Sequence, residues 1–300
     1  MGRLWALWGR YKGGVTTSRL LVAGVPEHFN LPWRTAAERG LFGDAGLEFE
    51  WLDEPAGTGA LVDAVESGEV EAAVVLTEGA MAAIGRGRPL LIEGWWVESP
   101  LDWGIHTGPH VEASSADGLN ASHRFAISRF GSGSHLMAHV LADQRGFELD
   151  ESAFVLCGGI DGAVEALTAG EADVFLWDRA MTAPLVRAGT LQRIGVQSTP
   201  WPSFVAIRHH DAQVATVAAL RTALRLAALE GARLRADEQV GDIIVKRFGL
   251  HVDDVTAWLA TIRWTVDPTN MAPERIVAIR DQAAAYGLVP AGMDVEAFIG

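Results

Sequence analysis

Two stretches of the chain repeat one pattern. GTGALVDAVESGEVEAAVVLTEGAMAA begins at Gly57, and GGIDGAVEALTAGEADVFLWDRAMTA begins at Gly158. Each opens on a glycine-rich turn and runs through a short helix to Gly68 or Gly170. Each continues with Glu, an apolar residue and an acid, then enters an apolar strand. TEGAMAA from Thr77 is paired with WDRAMTA from Trp177. Chance likeness between alanine-rich helices would not reproduce that order of parts. The repeat therefore predicts two copies of one α/β unit, one per lobe.

The rest of the chain extends this alternation. RLLVAGV reads as a strand, PWRTAAERGLF as a helix, LEFEWL as a strand, PLLIEGWW and DWGIHT as further strands. Strands separated by helices of this length imply largely parallel sheets with helices on their faces. The tail beyond Asp211 changes character. VATVAALRTALRLAALEGARL, DVTAWLATI and APERIVAIRDQAAAYGL show helical periodicity, and their charged faces read as solvated surface. Pro273 and Glu274 suit the first turn of the last of these helices, because proline needs no N–H partner there and an acid meets the positive helix end.

Composition narrows the class. The chain has 300 residues, 49% of them apolar and 21% charged, which is globular. A net charge of -14, from 38 acids against 24 lysines and arginines, disfavours broad contact with nucleic acid or anionic lipid. Cys157 is the only cysteine, so neither an intramolecular disulfide nor a thiolate cage can form. The basic start MGRLWALWGRYKGG has an apolar stretch too short for a signal-peptide core, and direct membrane insertion is not expected. A cytoplasmic location is the expectation.

RFAISRFGSGSHLMAHVLADQRG, from Arg124 to Gly146, reads as a strand, a small-residue turn and a helix. The first turn of a helix presents unpaired N–H groups, and small residues let an anion reach them. His135 and His139 are spaced for a metal on one helix face. Yet no glutamate follows the first histidine and no third ligand is evident, so no metal is expected. There is no P-loop, dinucleotide fingerprint or nucleophile elbow.

Together VPEHFNLPW, GTGALVDAVESGEVEAAVV, FGSGSHLMAHVLADQRG and DGAVEALTAGEADVFLWDRAMTAPLV resemble the type II periplasmic-binding-protein family. Within it the chain is most similar to the group that contains sulfonate- and taurine-binding proteins and thiamine-pyrimidine-precursor synthases, and it looks like a soluble subgroup of these. The resemblance implies an α/β, two-lobed, Venus-flytrap fold with a mixed sheet and flanking helices in each lobe and a helical C-terminal tail. Residues 1–18 would be a disordered or tag-like tail. Residues 19–100 with 200–300 would form lobe one, and 101–199 lobe two.

In such a fold the ligand lies between lobes, beyond the carboxyl ends of the strands. The candidate ligand-binding residues are then His28, Phe29, Gly57, Thr58, Gly59, Thr77, Glu78, Trp95, Phe130, Gly131, Ser132, Gly133, Ser134, His135, Asp161, Trp177, Asp178 and Trp201. Helix starts at Thr58 and Ser132 would bind an anion without any lysine, tryptophans would hold an apolar or ring-shaped body, and Glu78, Asp161 or Asp178 would take an amine or ring N–H. The expected function is capture of a small anionic, ring-containing ligand, with no cofactor and with an ABC-type permease as a partner the resemblance suggests. The alternative is an enzyme on the same scaffold, a thiamine-precursor or menaquinone-pathway-like lyase or synthase, with His28, Glu78, Asp161 and Asp178 as acid–base groups.

Overall fold

The computed structural model describes residues 18–299. The expected tail, residues 1–18, lies outside them except for Ser18, which opens β1 (Ser18–Gly24). Then come α1 (Leu31–Glu38), α2 (Leu41–Asp44), β2 (Leu47–Asp53), α3 (Thr58–Ser67), β3 (Ala72–Leu76), α4 (Thr77–Gly85) and β4 (Leu90–Val97). The helix expected over PWRTAAERGLF is two helices, because Gly40 takes φ +75°, a left-handed conformation that ends α1 and re-aims the chain into α2.

The chain then crosses to β5 (Asp102–Thr107), β6 (Phe125–Ile127), α5 (Gly133–Gln144), β7 (Phe154–Leu156), α6 (Ile160–Ala169), β8 (Val174–Asp178), α7 (Arg179–Arg187) and β9 (Gln192–Ser198). It returns through β10 (Phe204–His209) and closes with α8 (Val214–Arg235), α9 (Val240–Phe248), α10 (Val252–Thr261) and α11 (Pro273–Ala285).

Ten strands form two five-stranded mixed sheets, ordered β2-β1-β3-β10-β4 and β7-β6-β8-β5-β9. In the first, β1 runs parallel to β2 and β3, with Val22 opposite Trp51 and Ala72, while β10 lies antiparallel between β3 and β4. In the second, β6 runs parallel to β7 and β8, and β5 lies antiparallel between β8 and β9. The two orders are the same pattern. In each lobe the antiparallel strand is one that the crossing segments deliver from the other lobe. The strands at each sheet centre are buried over most of their length; β3 runs through covered Ala72, Ala73, Val74 and Val75 to the half-buried Leu76, and β8 through covered Val174, Phe175 and Leu176.

The repeat is real but displaced from the pairing read in the sequence. Elements of the second copy begin 102 residues after those of the first: 58 to 160, 72 to 174 and 77 to 179. Thr77 thus corresponds to Arg179 and Glu78 to Ala180, while Asp178 corresponds to Leu76. The shared Ala-Met dipeptides, 100 residues apart, misaligned the copies by two positions. Thr77 and Glu78 are therefore not the counterparts of Trp177 and Asp178.

The C-terminal helices belong with the first sheet. α8 packs on α1, β1 and β4, and α11 packs on α4. The charged face of α8 is not simply solvated. Glu230, 1% exposed, accepts from Arg39 and Arg233, and Arg221 reaches the buried Glu93, which Arg208 also holds at 2.6 Å. α9 was not anticipated in the sequence. Among the described residues no helix is long and apolar enough to cross a membrane.

The two crossing segments are tied to each other. Ser203 Oγ donates to Ser99 O at 2.7 Å, Leu101 N–H to Thr199 Oγ1 at 3.0 Å and Thr199 N–H to Leu101 O at 3.0 Å. A pair of short, mutually bonded connections between two sheets is the mechanical form of a hinge.

Candidate functional site

Facing helix starts of the two lobes open onto one cleft of about 460 Å³. From lobe one come Thr58 and Gly59 at the start of α3 and Glu78 in the first turn of α4. From lobe two come Ser128, Gly131, Ser132, Gly133 and Ser134 around the start of α5, with Trp103 and Trp177 from the sheet. The volume suits a small organic molecule. A second chamber of about 590 Å³ continues past Gly131, Leu136, Arg86 and Leu288, lined further by His135, His139, Asp143 and Tyr286.

The polar groups of the α5 loop are bonded to one another. Ser132 is the N-cap residue of α5, and its Oγ accepts from His135 N–H at 3.3 Å. Ser132 Oγ and Ser134 Oγ lie 3.0 Å apart, and Ser134 Oγ accepts from Ser128 N–H at 3.0 Å. On the opposite wall Thr58 Oγ1 accepts from Leu76 N–H at 3.2 Å, which seats the start of α3 beside the end of β3.

Arginines supply charge that the sequence reading missed. Arg86 from lobe one and Arg129 from lobe two both line the cleft, both exposed. Among the described residues neither is ion-paired, whereas the neighbouring Arg88 is bound by Asp63 at 2.6 Å and by Glu66. Arg129 stands in SRFGSGSH, directly before the loop already singled out, so its position was the available signal. Trp103, in the strand DWGIHT, had none beyond its residue type.

Glu78 is the buried acid of this cleft, 5% exposed. Its Oε2 accepts from Trp201 Nε1–H at 2.9 Å, and among the described residues no other residue donates to Oε1. Burial pushes its carboxyl up to about 7, opposed by its own backbone N–H and by the Trp201 bond. Trp201 sits in the returning crossing segment and is 2% exposed, so it positions Glu78 without lining the cleft.

Other expected residues lie elsewhere. Phe29 and Asp178 line a separate cavity of about 50 Å³ beside the hinge, together with Trp258, Asp102 and Asp254. Asp178 caps α7 by accepting from Ala180 and Met181 N–H at 2.8 and 2.9 Å. Its carboxyl is raised by burial and then by Asp102. Glu27, in the loop after β1, is likewise raised by burial and then by Asp178, so the two acids oppose each other across the lobes. His28 is buried against Trp258 at a ring distance of 4.3 Å, and burial holds its pKa down to about 4. Trp95 is core, 1% exposed with Arg275 stacked on it at 4.3 Å, and Thr77 is wholly buried. Gly57 is the N-cap residue of α3, Asp161 is exposed in the first turn of α6, and Phe130 is exposed beside Phe154 and His135; none of the three lines either chamber.

The histidine pair has a specific state. Gly131 N–H donates to His135 Nδ1 at 3.2 Å, so the neutral ring carries its proton on Nε2, which faces His139 Nε2 at 3.3 Å. That arrangement is a hydrogen bond between rings. Coordination would require the His135 tautomer that the Gly131 N–H opposes. A group able to offer three metal ligands, His209, His210 and Asp211, lies at the end of β10, outside both chambers.

Comparison with known proteins agrees with this fold. Residues 103–196 match the family described as Ca3427-like PBP. No curated protein matches the chain by sequence. The Candida albicans CA3427 gene product, described as having the generic periplasmic binding protein fold, superposes with a TM-score of 0.81 at 23% identity, covering 94% of this chain and 96% of its own. The aliphatic sulphonate binding protein SsuA from Escherichia coli gives 0.72 at 15% identity, covering 95% and 98%. A ligand-binding component of an ABC-type import system from Staphylococcus aureus, solved with zinc bound, gives 0.70 at 15% identity, covering 95% and 97%. The chain has the two-lobed type II periplasmic-binding-protein fold, and the greater part of its second lobe carries the Ca3427-like signature.

Proposed function

We propose that the protein captures a small anionic ligand between its lobes and closes on it. The carrying observation is the pair Arg86 and Arg129, one cation from each lobe with no acid of its own among the described residues, lining the same cleft as the helix starts at Thr58 and Ser132. In a chain of net charge -14, two unpaired guanidiniums at one cleft are a local reversal of the global field. Helix N–H groups and serine hydroxyls add donors for the same anion. An anion that touches both lobes stabilises the closed state over the open one, and that differential affinity drives closure. Trp103 and Trp177 offer flat apolar surface for the body of the ligand. On the same reading the occupied form delivers its ligand to a membrane permease, the role of the import-system component to which the fold is similar.

Native mass spectrometry after incubation with a metabolite extract tests this. A captured, chemically unchanged anion is expected, and Ser132→Trp should abolish its capture while leaving the melting temperature of the empty protein little altered. Capture undiminished in that variant would remove the α5 loop from the site. Glu78 favours a second reading: a carboxyl held at about 7 in a ligand cleft suits general acid–base work. Turnover of the captured compound, abolished by Glu78→Gln, is the outcome that selects the enzyme.

A further inference from the structure

Outside both chambers, β10 ends in the run Arg208-His209-His210-Asp211. Along a strand, neighbouring side chains point to opposite faces, so consecutive residues there could not share a ligand. Here the strand stops at His209 and the chain turns, with Ala212 N–H donating to His209 O at 3.2 Å. The turn gathers the three side chains. The rings of His209 and His210 lie 4.8 Å apart between centroids, and His210 Nε2 stands 2.9 Å from Asp211 Oδ2. One nitrogen of each ring and a carboxylate oxygen fall within 4.8 Å of one another, and among the described residues no other group brings three such ligands together. The backbone of the turn is fixed from beneath. Arg208, 6% exposed and held by Glu93 at 2.6 Å, donates from Nη1 to His209 O at 3.0 Å and to His210 O at 3.2 Å. His210 N–H donates to Pro89 O at 2.9 Å, which ties the turn to the segment leading into β4. A buried ion pair thus orients the residues whose rings face solvent, the supporting role that outer groups play around metal ligands.

We propose that His209, His210 and Asp211 form a surface site for a divalent transition metal of borderline softness, zinc foremost. Two imidazoles and one carboxylate are too rich in nitrogen for calcium or magnesium and lack the thiolates that copper(I) prefers. Three protein ligands leave the fourth tetrahedral position to water or to a donor from another molecule. Ligand atoms around tetrahedral zinc stand about 3.3 Å apart, so the side chains must draw together from their present spacing. Rotation of exposed side chains supplies that movement, because His210 and Asp211 are both on the surface. His209 Nδ1 accepts from Asp211 N–H at 3.1 Å, and on this exposed turn water replaces the bond if the ion takes that nitrogen. The pair His135 and His139 differs, because there the facing ring nitrogens are already bonded to each other. The net charge of -14 draws cations toward the protein surface.

The test is titration of chelator-treated protein with zinc by calorimetry and with cobalt(II) by visible absorption. One equivalent of zinc should bind at micromolar concentration, and bound cobalt should show the intense visible bands of a tetrahedral site. His210→Ala and Asp211→Asn should each weaken zinc binding tenfold or more and abolish those bands. Both residues are exposed, so both variants should remain folded, which circular dichroism checks. The double variant His135→Ala/His139→Ala should bind zinc as the wild type does. The proposal is overturned if wild-type protein takes up no zinc below millimolar concentration, or if His210→Ala and Asp211→Asn bind it undiminished. Loss of binding in the His135→Ala/His139→Ala protein, with the β10 variants unaffected, overturns it equally and moves the metal to α5.

Discussion

A Cβ on Gly133 would stand 2.6 Å from Cη2 of Trp103. The indole of β5 lies directly beneath the first residue of α5, and the helix start can approach the cleft only because that residue has no side chain. Trp103 is too well covered to swing aside. Gly133→Ala should therefore displace the α5 start, costing roughly 1–3 kcal/mol through overpacking and weakening ligand capture at the same time. Thermal unfolding and a binding titration on one sample check this. A variant that melts and binds as wild type would mean that the indole yields freely.

Arg129 invites the opposite kind of substitution. It is exposed and without an acidic partner among the described residues, so its removal takes nothing from the fold. Arg129→Ala should stay within about 0.5 kcal/mol of wild-type stability yet lose tenfold or more in affinity for an anionic ligand. The remaining binding should depend less on salt, since one charge–charge attraction is gone. Unchanged affinity across a salt series would exclude Arg129 from the site.

Much of this architecture was legible because periodicity and turn chemistry are local. Glycines at 57, 68, 158 and 170 bracket the short helix of each copy, and the apolar runs that follow Gly68 and Gly170 are too short for anything but strands. The α5 loop was legible for the same reason, since a small-residue turn at a helix start has a fixed physical meaning. What could not be read is which side of a strand or turn faces the cleft. Glu78 and Asp178 looked equivalent, but a two-residue slip in matching the copies hid that one lines the ligand cleft and the other caps α7 beside a different cavity. Trp95 looked like a ligand platform, yet it lies in the core under a helical tail that makes no local contact with it in sequence. Arg86 and Trp103 enter the site through long-range folding, for which composition carries no signal, whereas Arg129 stands beside the loop already singled out.

Tyr286 joins the lobes at the far chamber. It follows α11, which packs on α4 of lobe one, and its Oη–H donates at 3.0 Å to Asp143 Oδ2 on α5 of lobe two. Burial and then the Asp143 bond push the phenol pKa up to about 12, so the donor persists throughout the ordinary pH range. Tyr286→Phe removes the bond and keeps the ring. The variant should open further on average, seen as a larger radius of gyration by solution scattering, and ligand affinity should fall by up to about tenfold, the worth of one hydrogen bond to a charged acceptor at a partly exposed site. Identical scattering and affinity would show that other contacts hold the lobes together.

Glu78 also gives the empty protein an unusual dependence on pH. In the unfolded chain its carboxyl ionises near 4.5, whereas burial holds it protonated up to about 7 in the folded state. A raised folded value means that the folded form keeps a proton the unfolded form has lost, so stability declines as pH climbs through that interval. The full effect is roughly 3 kcal/mol, of which about 1 falls above pH 6.5. Glu27 acts in the same direction. His28 and His106, both held down to about 4 by burial, act oppositely, but only below about 6.5, where the unfolded imidazoles take up protons that the folded ones refuse. Between pH 6.5 and 8 the acids therefore decide, and the melting temperature of ligand-free protein should fall across that window at constant ionic strength. Glu78→Gln mimics the protonated carboxyl permanently. It should lose part of that slope and melt higher than wild type at pH 8. A variant that melts lower at pH 8, with the slope intact, would show that Glu78 is already ionised and satisfied in the empty cleft.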